Sequence, residues 1–123
     1  MTRVALDAKS LTEVLIEGLL EIKGQDILRM DLRKADGAVA DYFVLCTGTS
    51  DRHVQALAES VLEFAAEHQE KPISKEGMKE GEWVLLDFVN VVVHIFQKEK
   101  RDFFRLEKLW GDAVFESFTD AQL

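Results

Sequence analysis

At 123 residues, with 47% hydrophobic and 31% charged positions, the chain has the size and composition of one folded domain, 1–123, and not of a disordered or membrane-embedded polypeptide. No apolar run approaches the ~18 to 20 residues that cross a bilayer, and the opening MTRVALDAKSL lacks both a secretory core and, with Asp7 this early and a single arginine, the character of a transit peptide, so a cytoplasmic protein is expected. The formal charge of -8 repels phosphates, which makes a cationic protein a better partner than bare RNA.

Ser10 and Glu13 stand at capping-box spacing, and Leu11, Val14, Leu15, Leu19 and Ile22 recur at helical intervals, so a helix over 10–22 ending near Gly24 is expected. Ile27, Leu28, Met30 and Leu32 suit a strand from Asp26 to Leu32, and Ala35 to Ala40, with Asp36-Gly37 inside it, reads as a loop. Tyr42 to Thr47 is a short run rich in aromatic and β-branched residues that breaks at Gly48, the pattern of a buried strand. Its Cys46 is the one cysteine, without an internal disulfide partner and expected to be buried. Ser50 is placed to cap a second helix along which Val54, Leu57, Ala58, Val61, Leu62 and Ala65 keep one stripe. Pro72 stops it, Lys71 to Ser74 is an expected edge strand, and strand, helix and strand then suggest a right-handed parallel unit.

After a loop over Lys75 to Glu82 come two strand signals, Glu82 to Phe88 and Val91 to Gln97, separated by Val89 and Asn90 alone. An antiparallel hairpin is the economical reading. A two-residue turn sets Phe88 opposite Val91, Leu86 opposite Val93, Leu85 opposite His94 and Trp83 opposite Phe96, and alternation sorts the side chains. One face is wholly apolar: Val84, Leu86, Phe88, Val91, Val93 and Ile95. The other carries Trp83, Leu85, Asp87, Val92, His94 and Phe96, an apolar patch with an acid and a histidine, which has the anatomy of a protein-binding surface. The competing reading is that a helix covers this face and that Asp87 and His94 satisfy each other. Phe103, Leu106 and Trp110 then mark a helix over Lys100 to Trp110, stopped by Gly111, before an acidic tail over 112–123 to which no structure is assigned.

Rival chemistries find little support. Thr47-Gly48-Thr49-Ser50-Asp51 opens a helix where backbone donors can hold a phosphate, which keeps a nucleotide- or phosphate-binding enzyme as the alternative function, but no P-loop lysine follows and Asp51 repels anions. His53, His68 and His94 with Cys46 lack metal-ligand spacing. No catalytic residue, metal or cofactor is assigned. A homo-oligomeric scaffold that consumes the Trp83 face in self-association is a further alternative.

Several runs together resemble one known family. Lys23-Gly24-Gln25-Asp26-Ile27, Asp41-Tyr42-Phe43-Val44, Thr47 through His53, Glu76-Gly77, Trp83-Val84-Leu85-Leu86-Asp87, Val91 through Phe96, Arg101 and Leu106 through Trp110 are similar in order and spacing to the ribosomal silencing factors of the RsfS/Iojap type. The resemblance spans about residues 10 to 113. It implies an α/β fold with a mixed, mostly five-stranded sheet and flanking helices, nucleotidyltransferase-like in shape but without catalysis. It also implies binding to the large ribosomal subunit through ribosomal protein L-fourteen, steric blocking of subunit joining under nutrient limitation, and a homodimer when free. The partner-binding residues it implies are Glu76, Gly77, Trp83, Asp87, His94, Glu99 and Arg101, to which the face read from the hairpin register adds Leu85 and Phe96. One departure from the pattern is Val89, where the family usually has a turn glycine.

Overall fold

The computed structural model describes residues 5–104, 108 and 113–119. Its elements run α1 (Ala8–Glu21), β1 (Gln25–Asp31), β2 (Tyr42–Gly48), α2 (Asp51–Glu67), β3 (Ser74–Glu76), β4 (Trp83–Asp87), β5 (Val91–Gln97), α3 (Lys98–Phe104) and β6 (Val114–Phe118). The strands form one sheet in the order β3-β4-β5-β2-β1-β6, mixed in direction because β2 and β5 run parallel and all other neighbours antiparallel. Six strands replace the five expected. The extra one, β6, lies in the tail to which no structure had been assigned.

Both long helices cover the same face. Leu11, Leu15 and Leu19 of α1 and Val54, Leu57 and Val61 of α2 form one buried cluster with Val44 and Cys46 of β2, Val84 and Leu86 of β4 and Val91, Val93 and Ile95 of β5, which is the apolar face predicted for the hairpin. The two helices approach closely at Gly18, whose carbonyl accepts the Ser60 hydroxyl at 2.7 Å. A Cβ on Gly18 would stand 3.1 Å from the Ser60 carbonyl oxygen, a tight contact that α2 would have to relieve by a few tenths of an ångström. Burial pushes the Cys46 thiol up to about 12, so it is a packing group and not a nucleophile.

Several local expectations are corrected. Helix α1 begins a turn earlier than the capping box implied, with Asp7 as the cap accepting the Ser10 N–H at 2.7 Å. Its end is closed by the Lys23 N–H to the Leu20 carbonyl and the Gly24 N–H to the Leu19 carbonyl, and Lys23, not glycine, takes the left-handed position (φ 59°). Ser50 caps α2 as expected, accepting from the His53 N–H. The edge strand is Ser74–Glu76, not 71–74, and it pairs antiparallel with β4. The parallel partner that follows α2 is therefore β5. The continuation of α3 to Trp110 and its stop at Gly111 lie outside the described residues, residue 108 apart.

Strand β6 is fastened by a buried cation. Arg29 of β1, on the helix-covered face, donates to the Thr12 hydroxyl at 3.0 Å and to Glu116 of β6 at 2.6 Å, and its guanidinium lies over the rings of Tyr42 and Phe118. A guanidinium is tolerated at such depth only with this degree of pairing.

Candidate docking face

The hairpin has the register read from its turn: Trp83 faces Phe96, Val84 Ile95, Leu85 His94, Leu86 Val93 and Asp87 Val92, and the Phe88 N–H donates to the Val91 carbonyl at 2.8 Å. Directly opposed side chains share a face. The β3 register adds Glu76 beside Leu85 and Ser74 beside Asp87. Glu76, Trp83, Leu85, Asp87, His94 and Phe96 are thus brought together on the face turned away from α1 and α2. Ser74 is the member that sequence reasoning missed, because its place depends on the pairing of a three-residue strand with no apolar alternation.

The face is narrower than alternation alone predicted. Phe96 (0% exposed) and Val92 are buried in a second cluster with Met30, Leu32, Phe43 and Leu45, against which Ala35, Ala38 and Ala40 of the β1–β2 loop pack, and His94 (5%) is buried between them on β5. Val92, His94 and Phe96 therefore form a floor and not a contact surface. Trp83, Leu85 and Asp87 are half-buried and Glu76 is exposed, so the outward side of the patch belongs to β4 and β3.

Trp83 is seated on this floor. Its ring stacks on Phe96 with centroids 5.0 Å apart, and its Nε1–H donates to His94 Nδ1 at 3.1 Å. An indole nitrogen only donates, so Nδ1 is unprotonated and the neutral ring carries its proton on Nε2. That Nε2 is buried with no hydrogen-bond partner among the described residues, an arrangement that costs about 1 to 3 kcal/mol. Burial pushes the His94 imidazole down to about 4, which keeps it neutral near pH 7. Phe43 meets the same ring edge-on at 4.8 Å.

The pairing of Asp87 with His94 that the covered-face reading supposed is not formed. Asp87 Oδ1 instead accepts the Val89 N–H at 2.8 Å across the hairpin turn. Val89 sits at φ 77°, the Asn90 N–H donates to the Phe88 carbonyl, and the Asn90 carbonyl accepts from Asp41 and Tyr42. The departure at Val89 thus leaves the register intact, while a β-branched residue occupies left-handed backbone.

The remaining predicted residues play other parts. Gly77 (φ +80°) runs against β4 so closely that a Cβ would stand 2.0 Å from the Trp83 carbonyl oxygen, so glycine there shapes the approach to Trp83. Glu99 is exposed on α3. Arg101, from the same helix, turns inward: its Nη1 donates to the Asp26 carbonyl at 2.6 Å and to the Thr47 hydroxyl at 2.8 Å, joining α3 to the ends of β1 and β2. Arg101 thus reaches the same face at Thr47, the residue paired with Phe96, where it serves as a tie between elements.

The phosphate reading of the Thr47 to Asp51 segment meets donors already in use. The Thr49 N–H donates to His53 Nδ1, the His53 N–H to the Ser50 hydroxyl, the Arg52 N–H to Asp51 and the Val54 N–H to the Ser50 carbonyl. Among the described residues, no three His, Cys, Asp or Glu side chains converge as metal ligands, and no helix is long and apolar enough to cross a membrane.

Residues 5–122 match the family model described as ribosomal silencing factor during starvation. The ribosomal silencing factor RsfS of Bacillus subtilis is 40% identical over 108 residues, 88% of this chain and 91% of that protein. Its counterpart in Haemophilus influenzae is 35% identical over 83% of this chain and 99% of that one. The crystal structure of a Chromobacterium violaceum protein superposes with a TM-score of 0.82 at 37% identity, covering 86% of this chain and 88% of that one. A chloroplastic Iojap protein of Zea mays is 32% identical over 76% of this chain and 40% of its own length. The RsfS relatives carry the name of a regulatory factor, not of an enzyme, and the superposition puts this chain's mixed sheet and flanking helices in the same structural class. The chain belongs to the ribosomal silencing factor family.

Proposed function

We propose that the protein silences ribosomes by docking on the large subunit through ribosomal protein L-fourteen, where its bulk prevents the small subunit from joining and so lowers translation when nutrients are scarce. The observation that carries this reading is Trp83, a half-buried indole stacked on Phe96 and hydrogen-bonded to His94, with Leu85, Asp87 and Glu76 on the same face. Preformed aromatic anchors rimmed by polar groups supply most of the energy of protein interfaces. The acids Glu76, Asp87 and Glu99 and the net charge of -8 suit a basic ribosomal protein.

On this reading residues 1–123 act as one cytoplasmic domain, homodimeric when free, with no direct sequence-specific nucleic-acid contact. The nucleotidyltransferase-like sheet then serves as a scaffold without catalysis. Asp31, an acid such chemistry would direct at metal, is held by Arg33 through Nε at 2.9 Å and Nη2 at 2.7 Å. Co-sedimentation with isolated large subunits followed by a subunit-joining assay tests the proposal. Pelleting with large subunits and reduced joining are expected. Protein found only on small subunits, or joining unaffected at saturating protein, overturns it.

A further inference from the structure

His94 was expected to be a contact residue of the docking face, yet it is 5% exposed and lies beneath that face. One of its nitrogens receives the Trp83 indole N–H, and the other is buried without a hydrogen-bond partner among the described residues. A leucine or phenylalanine would fill such a site without leaving a stranded N–H, so what the imidazole supplies there is its Nδ1 acceptor. Among the described residues, a stack on Phe96 sets the plane of the indole and the hydrogen bond sets its rotation within that plane. Phe43, edge-on to the imidazole, keeps the acceptor from turning away.

We infer that His94 is a positioning residue for docking: its Nδ1 holds the Trp83 indole in one orientation before the partner arrives, without touching the partner itself. The inference rests on the proposed docking reading, but the hydrogen bond is tested in the free protein. A through-bond 15N–15N coupling between Trp83 Nε1 and His94 Nδ1 in the labelled wild-type chain, with Trp110→Phe used to assign the indoles, reports the bond directly. The coupling is expected, together with slow exchange of the Trp83 indole proton. Its absence, with the proton exchanging as in free tryptophan, overturns the inference.

Variants carry it to binding. His94→Asn keeps an acceptor near the position of Nδ1, whereas His94→Leu has none. Large-subunit affinity is expected to stay within about twofold of wild type for His94→Asn and to fall about three- to tenfold for His94→Leu, the cost of ordering one large side chain on docking. Equal affinity for His94→Leu and wild type, with the β5 amides unshifted, overturns the positioning role. If Trp83→Ala leaves affinity unchanged while the coupling is present, the docking reading fails and the hydrogen bond stands.

Discussion

Val89 holds φ at 77° with its side chain 54% exposed, so it gains little from burial while bearing the Cβ penalty of left-handed backbone, about 1 to 2 kcal/mol. Glycine removes that penalty and loses part of the gain through a freer unfolded chain, about 0.4 to 1 kcal/mol. Val89→Gly is therefore expected to raise stability by about 0.5 to 1 kcal/mol, read as a higher urea midpoint at unchanged slope. His94 sets a pH dependence of known sign. Its imidazole titrates near 6.5 when exposed and at about 4 in the fold, so between those values the unfolded chain binds more protons. The stability is fully present above pH 6.5 and is lost as the pH falls toward 4, by about 2 to 3 kcal/mol. Urea titrations of wild type and His94→Leu at pH 7 and 4.5 check this, the variant showing the smaller loss. At this scale the sequence identified Trp83 and His94 as neighbours on one face, but not that one is the support of the other. Depth within a face follows from what packs across it, Ala35, Ala38 and Ala40 of the β1–β2 loop among other groups, and those alanines carry no periodic signal.

Strand β4 reaches its place through Gly77, where a Cβ would meet the Trp83 carbonyl oxygen at 2.0 Å in a backbone at φ +80°. Gly77→Ala is expected to cost about 2 to 3 kcal/mol through backbone displacement and left-handed strain, and to weaken large-subunit binding by moving Trp83. A thermal melt and a pelleting assay read the two effects. The hairpin β4–β5 was legible to the residue because a period of two and a two-residue linker leave one register. Strand β6 was not, since its residues are mostly exposed and an edge strand needs no apolar alternation. The parallel partner of β2 was misassigned for a related reason. Backbone pairing joins β2 to β5 past β3 and β4, and nothing local in a strand says which neighbour it will take.

For the whole molecule, the net charge of -8 and the aromatic anchor act on different steps. Charge speeds encounter and is screened by salt, whereas a desolvated ring slows release. Raising salt from about 0.05 to 0.5 M is expected to lower the association rate with large subunits and leave dissociation nearly unchanged. Trp83→Ala should do the reverse, at about 2 to 4 kcal/mol of affinity. Stopped-flow and chase experiments on labelled protein separate the two. The class of fold was legible from the alternation of helical and strand periods, but the placing of both long helices on one side was not, because an amphipathic stripe shows that a helix is covered and not which layer covers it. The fastening of β6 to β1 also bears on how the molecule is made. Glu116 follows Arg29 by 87 residues, so a growing polypeptide carries this guanidinium without its carboxylate, and β1 with one open border, through most of its synthesis, until the last described strand pairs with β1.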